Sequence, residues 1–324
     1  MKKTTKIWLI IATSFILVGS LIFGGAMIML KWDFSKLSTA KYVTNSYDIN
    51  EGFKNITIDT DTADILFVAS DYQTCKVVCY EQENIQHSVN TANDTLVIKA
   101  VDNRKWYEYI GINFKAPKIT VHMPIGDYGA LAIKSSTGGI EIPNDFIFKS
   151  IDISESTGKV SNHASATDGI KIKTSTGSIC VENVSAGSLD LSASTGGITV
   201  NNVECFGDVN TNVSTGKTNL IDVECKNLTS NSSTGSINLS NVVAIENFSI
   251  NTNTGDVSFE YSDASQIFME TNTGDVSGSL LTEKVFITQT DTGSVDVPKT
   301  VTGGRCEITT DTGNIKIDVI NSLY

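Results

Sequence analysis

The sequence predicts an all-β protein: a parallel β-helix or β-solenoid of 19–20 residues per coil, preceded by one N-terminal transmembrane helix. Three observations predict it. A Thr-Gly step recurs ten times between Thr137 and Gly313, at intervals of 19 or 20 residues. Apolar and polar residues alternate on both sides of that step. The stretch Ile7–Leu30 holds 24 residues without a charge.

The apolar stretch comes first in the chain. About 20 apolar residues cross the hydrocarbon core as a helix, and tryptophan favours the membrane interface, where Trp8 and Trp32 would lie. Lys2, Lys3 and Lys6 before the stretch make residues 1–6 a cytoplasmic tail and put the chain from Lys31 onward outside. A cleaved signal peptide has an apolar region of only about 7–15 residues. The expectation is therefore an uncleaved signal-anchor, residues 7–30, with the lipid bilayer as its partner, followed by a juxtamembrane linker over 31–44.

Residues 45–134 lack the Thr-Gly phrase but keep short apolar runs: Ile56–Ile58, Ile65–Val68, Val77–Val78, Leu96–Ile98 and Ile119–Val121. Thr60-Asp-Thr-Ala-Asp64 resembles a corner that has lost its glycine. Terminal repeats of a solenoid are atypical because they must cover an open sheet edge. This segment reads as irregular N-terminal rungs and a cap, with Trp106, Tyr107 and Tyr109 in a loop packed over the end.

Residues 135–324 are the regular repeat. Two and four positions after the glycine stand apolar pairs such as Ile179/Val181, Ile237/Leu239, Val295/Val297 and Ile315/Ile317. A second pair follows 12–15 residues after the glycine: Ile151/Ile153, Ile170/Ile172, Leu189/Leu191, Phe248/Ile250 and Val285/Ile287 among them. Period-two alternation of β-branched residues marks a strand with one buried face. Each unit is thus strand, turn, strand, turn. The residue before each Thr runs from Ser (Ser136 to Ser233) through Asn253 and Asn272 to Asp291 and Asp311; all three types bond their own backbone in turns. Glycine accepts the positive φ of a corner, and the corner threonines would stack as a hydroxyl ladder. An array of antiparallel hairpins would also give two strands per period, but the drift between 19 and 20 suits stacked coils better.

Composition narrows function. The net charge is −12, and six lysines against one acid lie before residue 42, so the rest of the chain is strongly acidic. Nucleic-acid binding wants a basic face. Three histidines, His87, His122 and His163, stand in no zinc-ligand spacing, and no phosphate loop is present. No catalytic residue and no cofactor is expected. Asp256 with Asp275, and Asp291 with Asp311, would stack about 4.8 Å apart on neighbouring rungs, where crowded carboxylates make weak Ca²⁺ sites. Cys205 and Cys225 each lie nine residues past a corner glycine, a separation compatible with a disulfide or with two stacked thiols.

The S-T-G-x-[IV]-x-[VL] units, the phrase Lys118-Ile-Thr-Val-His-Met-Pro124 and the N-terminal anchor together resemble the bacterial putative-adhesin family, a domain of unknown function, over roughly residues 50–320. The resemblance implies a right-handed parallel β-helix on a bacterial surface, with no active site to carry over. Some relatives are similar to accessory proteins of envelope-stress systems. The reading is a non-catalytic, membrane-anchored extracytoplasmic solenoid that binds an envelope protein or polymer. Its rivals are a regulatory envelope component acting through the helix, and a polysaccharide-active β-helix enzyme using clustered carboxylates. The absence of Trp from residues 107–324 weighs against sugar stacking in such an enzyme.

Overall fold

The structure is a computed structural model and describes residues 3–33, 41–106 and 115–320; Tyr107, Tyr109 and linker residues 34–40 lie outside the described residues. Residues Lys3–Met29 form one helix, long and apolar enough to cross a membrane. Strands make up the rest, wound as a solenoid of about 10 turns.

Each coil gives one strand to each of two faces. On the first face the parallel order from the N-terminal end is Thr95–Asp102, Asn55–Thr62, Gly126–Thr137, Phe146–Thr157, Ser165–Thr176, Leu189–Thr195 and Asp208–Thr215. On the second it is Lys118–Pro124, Asp64–Ser70, Ile140–Ile142, Val160–Asn162, Ile179–Ala186 and Ile198–Cys205. The long strands Thr218–Thr234, Ile237–Thr254 and Val257–Thr273 then run across both faces. The inward alternating residues build one continuous core, with Phe67, Phe146, Phe148, Phe248 and Phe259 fully buried.

The Thr-Gly step is the corner between the faces, and stacking makes the glycine obligatory. Gly216 has φ +148°, and a Cβ there would sit 2.0 Å from the carbonyl oxygen of Gly196 on the coil below. No L side chain fits either the angle or the space. The first corner lacks glycine because it has less below it: Thr62 pairs with Thr137 and Ala63 holds the glycine's place.

The corner threonines stack in register with their side chains exposed, and the internal hydroxyl bonds come from elsewhere. The residue two before the corner Thr points inward, and in four of the later coils its hydroxyl donates to a glycine carbonyl of the adjacent coil. Thr252 bonds Gly235, Thr271 bonds Gly255, Thr310 bonds Gly274 and Thr290 bonds Gly313, at 2.9–3.3 Å. A second corner, six residues after the glycine, holds Asn183, Asn202, Asp222, Asn241 and Tyr261 in left-handed conformation, φ 49–57°. Asn and Asp tolerate this region. Their side chains join the coils: Asn202 Nδ2 donates to Asn183 Oδ1 at 2.8 Å, and Asn241 Nδ2 to Asp222 Oδ1 at 2.7 Å.

Both ends depart from regular winding. At the N-terminal end the strands Cys75–Gln82 and Ile85–Ala92 form a hairpin. Its first arm pairs antiparallel with Lys118–Pro124 and Tyr42–Ile49, its second with Thr95–Asp102. The hairpin thereby ties the edges of the two faces together. At the C-terminal end the order of coils is exchanged. Strand Gly304–Thr312 pairs with Val257–Thr273 on one side and Lys284–Thr292 on the other, so the last coil is inserted beneath the one before it. Strand Ile315–Val319 follows suit, lying between Val276–Leu280 and Val295–Asp296. The last coils are therefore not stacked in sequence order. The pair Val285/Ile287 is a correction to the sequence reading: both point outward, while Lys284 and Phe286 face in and pair with Gly304 and Cys306. Val295 lies at the terminal edge and is 44% exposed.

Candidate functional site

Two of the acids singled out by spacing, Asp256 and Asp275, tie neighbouring coils together. Asp256 Oδ1 accepts the backbone N–H of Asp275 at 2.9 Å, and Asp275 Oδ1 accepts that of Asn314 at 2.6 Å. Each carboxylate satisfies a donor of the neighbouring corner. Asp291 and Asp311 are exposed neighbours, flanked by the paired Thr290/Thr310 and Thr292/Thr312. Cys205 and Cys225 are buried free thiols on successive coils, next to the paired Glu204 and Glu224. Burial pushes the Cys225 thiol up to about 12.

Three other places gather chemistry. The first is a flat field on the first face. Over three consecutive coils the outward positions are Asp208, Asn210 and Asn212, then Asn227, Thr229 and Asn231, then Asn247, Ser249 and Asn251. Only one of these nine carries a charge, on a chain of net charge −12. Their amides run as hydrogen-bonded chains: Asn247 to Asn227 to Asp208 at 2.8 Å each, and Asn251 to Asn231 to Asn212 at 3.3 and 3.1 Å. Such chains fix each amide's orientation and leave a regular grid of donors and acceptors facing outward.

The second is a buried cluster in the N-terminal hairpin. Glu81 and His87 are 1% and 4% exposed. His87 Nδ1 lies 2.7 Å from Glu81 Oε2, and its Nε2 lies 2.8 Å from Thr60 Oγ1. Glu81 Oε2 also accepts the backbone N–H of His87 at 2.7 Å, and Oε1 accepts from Asn45 Nδ2 at 2.6 Å. Cys79 points inward from the same strand, one alternation from Glu81, and its thiol is pushed up to about 12 by burial and then by the Glu81 charge. Sequence reasoning passed over this group. The Cys79-x-Glu81 alternation places both on one strand face, and the turn at Glu83-Asn84 folds His87 back onto them, but that needs the hairpin to be known.

The third is an open cavity of about 690 Å³ at the C-terminal coil exchange, lined by Val243, Asp263, Leu281, Lys284 and Gly303 among others. Lys284 Nζ meets Asp263 Oδ1 at 2.5 Å, and Thr282 Oγ1 donates to Asp263 Oδ2 at 2.7 Å. The two charges cancel within the wall.

The family description Toastrack DUF4097 matches residues 53–214 and 206–323. Among solved structures, a putative adhesin from Bacteroides fragilis is 15% identical, with 86% of this chain and 97% of that one covered and a TM-score of 0.42. A putative adhesin from Parabacteroides distasonis is 13% identical, with coverage of 74% and 98% and a TM-score of 0.45. A putative lipid binding protein from the same organism is 17% identical, with coverage of 74% and 98% and a TM-score of 0.47. No curated protein matches the chain.

Proposed function

Because the chain belongs to the Toastrack DUF4097 family, we propose that it is an adhesin-like module of a bacterial envelope, held in the membrane by its N-terminal helix with the solenoid outside, and that it acts by binding rather than by catalysis. The observation that carries this reading is the amide and hydroxyl field from Asp208 to Asn251, with Asp208 its one charge. Rungs repeat about every 4.8 Å and alternate side chains about every 7 Å along a strand, so the field is a grid suited to an extended, uncharged, hydroxyl-rich polymer. Against an anionic polymer the surrounding negative charge would work at low salt. The helix Lys3–Met29 supports the anchor: apart from its ends it carries a single charge, Lys6, and its most apolar window has no part buried against the solenoid.

The test uses the full-length protein in nanodiscs, with sedimentation of isolated envelope glycans as the readout. Binding should fall at least tenfold when Asn212, Asn231 and Asn251 are all changed to Asp, which keeps size and adds three charges. Unchanged binding by the triple variant removes the field from the reading. Release of soluble sugar by the wild type would replace a binding role with an enzymatic one.

A further inference from the structure

We propose that Cys79, Glu81 and His87 form a zinc site that locks the N-terminal hairpin onto the end of the solenoid. Their donor atoms, one thiol sulfur, one carboxylate oxygen and one imidazole nitrogen, lie within 4.8 Å of one another, and all three residues are buried. Sulfur, nitrogen and oxygen together are the donor set zinc takes, at about 2.3 Å to sulfur and about 2.0–2.1 Å to nitrogen or oxygen. Around one ion the His87 and Glu81 donors, now 2.7 Å apart, would spread to about 3.3 Å, the separation that tetrahedral bonds of about 2.0–2.1 Å set, while the sulfur would settle at about 2.3 Å. A water completes four-coordination.

The surroundings are those of a ligand set. In metal centres the second nitrogen of a ligating histidine is held by a hydrogen-bond partner, and ligating carboxylates are held likewise. Here Thr60 Oγ1 sits on Nε2 of His87, which turns Nδ1 toward Glu81. Asn45 holds the far oxygen of Glu81. The peptide carbonyl of His87 accepts from Tyr47 Oη at 2.9 Å, which fixes the backbone beneath the ring. Four separate chain segments, carrying Asn45 and Tyr47, Thr60, Cys79 and Glu81, and His87, thus converge on one point.

Zn²⁺ would bind the Cys79 sulfur as thiolate together with the Glu81 carboxylate and a neutral His87 imidazole, two negative charges against two positive, and the thiol proton leaves to solvent, so loading strengthens as pH rises. The gain is placed where the sheet has no further coil to cover it.

The experiment strips full-length protein in detergent with chelator, reloads it with zinc or cobalt and counts bound metal by elemental mass spectrometry. One ion per chain is expected, with a sulfur-to-cobalt charge-transfer band and a higher melting temperature of the loaded form. Cys79→Ser is near-isosteric and keeps the packing; it should lose the band and weaken zinc binding at least tenfold while retaining the wild-type circular dichroism. His87→Ala should lose the metal as well; if it fails to fold, the Cys79→Ser result stands alone. A folded wild type that retains no zinc overturns the proposal. So does zinc that binds wild type and Cys79→Ser alike, which would assign the ion to surface carboxylates.

Discussion

Lys284 reaches across Gly304 to pair with Asp263 at 2.5 Å, with side chains only 3% and 9% exposed. The strand between them is the inserted one: Gly304 pairs with Lys284, and a Cβ at Gly304 would stand 3.7 Å from the lysine stem and 1.8 Å from the Ser265 carbonyl oxygen. The ion pair therefore clasps the exchanged coil from both sides. Removing one partner strands the other charge in the interior, a loss of about 3–5 kcal/mol, whereas apolar replacement of both is often neutral. Lys284→Met should lower unfolding stability by about that amount, and Lys284→Met with Asp263→Leu should recover most of it. Urea denaturation of the three proteins checks this; a double variant no better than the single would show that the pair acts only through packing.

Glu155 occupies a position that most other coils give to a hydroxyl, and two to Ala193 and Val213. It is 3% exposed, Oε1 accepts the N–H of Thr157 at 3.2 Å, and Oε2 has no partner among the described residues. Burial raises its pKa above the ordinary carboxylate range. The folded state therefore holds its proton to higher pH than the unfolded chain, which releases it near the usual value of about 4.3. Stability falls as pH rises through that window and stays lower above it. Glu155→Thr, the residue at Thr174 and Thr252, should stabilise by about 1–3 kcal/mol at pH 8 and by much less at pH 4. Equal gains at both pH values would sink the explanation.

Tyr261 sits where the second corner wants Asn or Asp. Its φ is 49°, like that of Asn241 one coil earlier at 54°, yet its ring is bulky and 53% exposed. The left-handed conformation costs such a residue about 1–2 kcal/mol. Tyr261→Asn should raise stability by about 1 kcal/mol, read as a shift of the denaturation midpoint with unchanged slope. A loss of stability would mean the tyrosine makes contacts that outweigh its strain.

The thiols of Cys75, Cys225 and Cys306 are all pushed up to about 12 by burial. Since the thiolate is the nucleophile, iodoacetamide at pH 8 should leave these three unmodified in the folded protein and label them fully in guanidinium. Mass spectrometry of the digested protein gives the answer site by site. Native labelling of Cys225 would contradict the packing around it.

The parts of the fold that repeat were visible in the sequence. Ten Thr-Gly steps located the corner, and inward pairs such as Ile179/Val181 and Phe248/Ile250 located both strands. What escaped is what does not repeat, or repeats through chemistry that hydrophobic alternation ignores. The left-handed row from Asn183 to Tyr261 has a regular period, but its residues are merely polar in a sequence rich in Asn. The coil exchange leaves no mark on spacing, because Gly293 and Gly313 are 20 residues apart whichever lies outermost. Lys284 in an apolar slot was the one local hint. The Cys79, Glu81 and His87 group arises from a hairpin and from Thr60, which is 27 residues away from His87. Proximity of that kind comes from tertiary pairing alone.

The exchanged coil also sets an assembly order. A solenoid wound strictly in sequence can add each turn as the chain emerges, with every finished turn serving as template for the next. Here strand Lys284–Thr292 has no seat until Gly304–Thr312, later in the chain, has taken the place beside Val257–Thr273. The end of the molecule closes last-in, first-seated, like a keystone slid under a waiting block. A chain lacking Gly304–Thr312 would therefore keep its upstream turns and forfeit two coils, not one, because Lys284–Thr292 would have no strand to pair with.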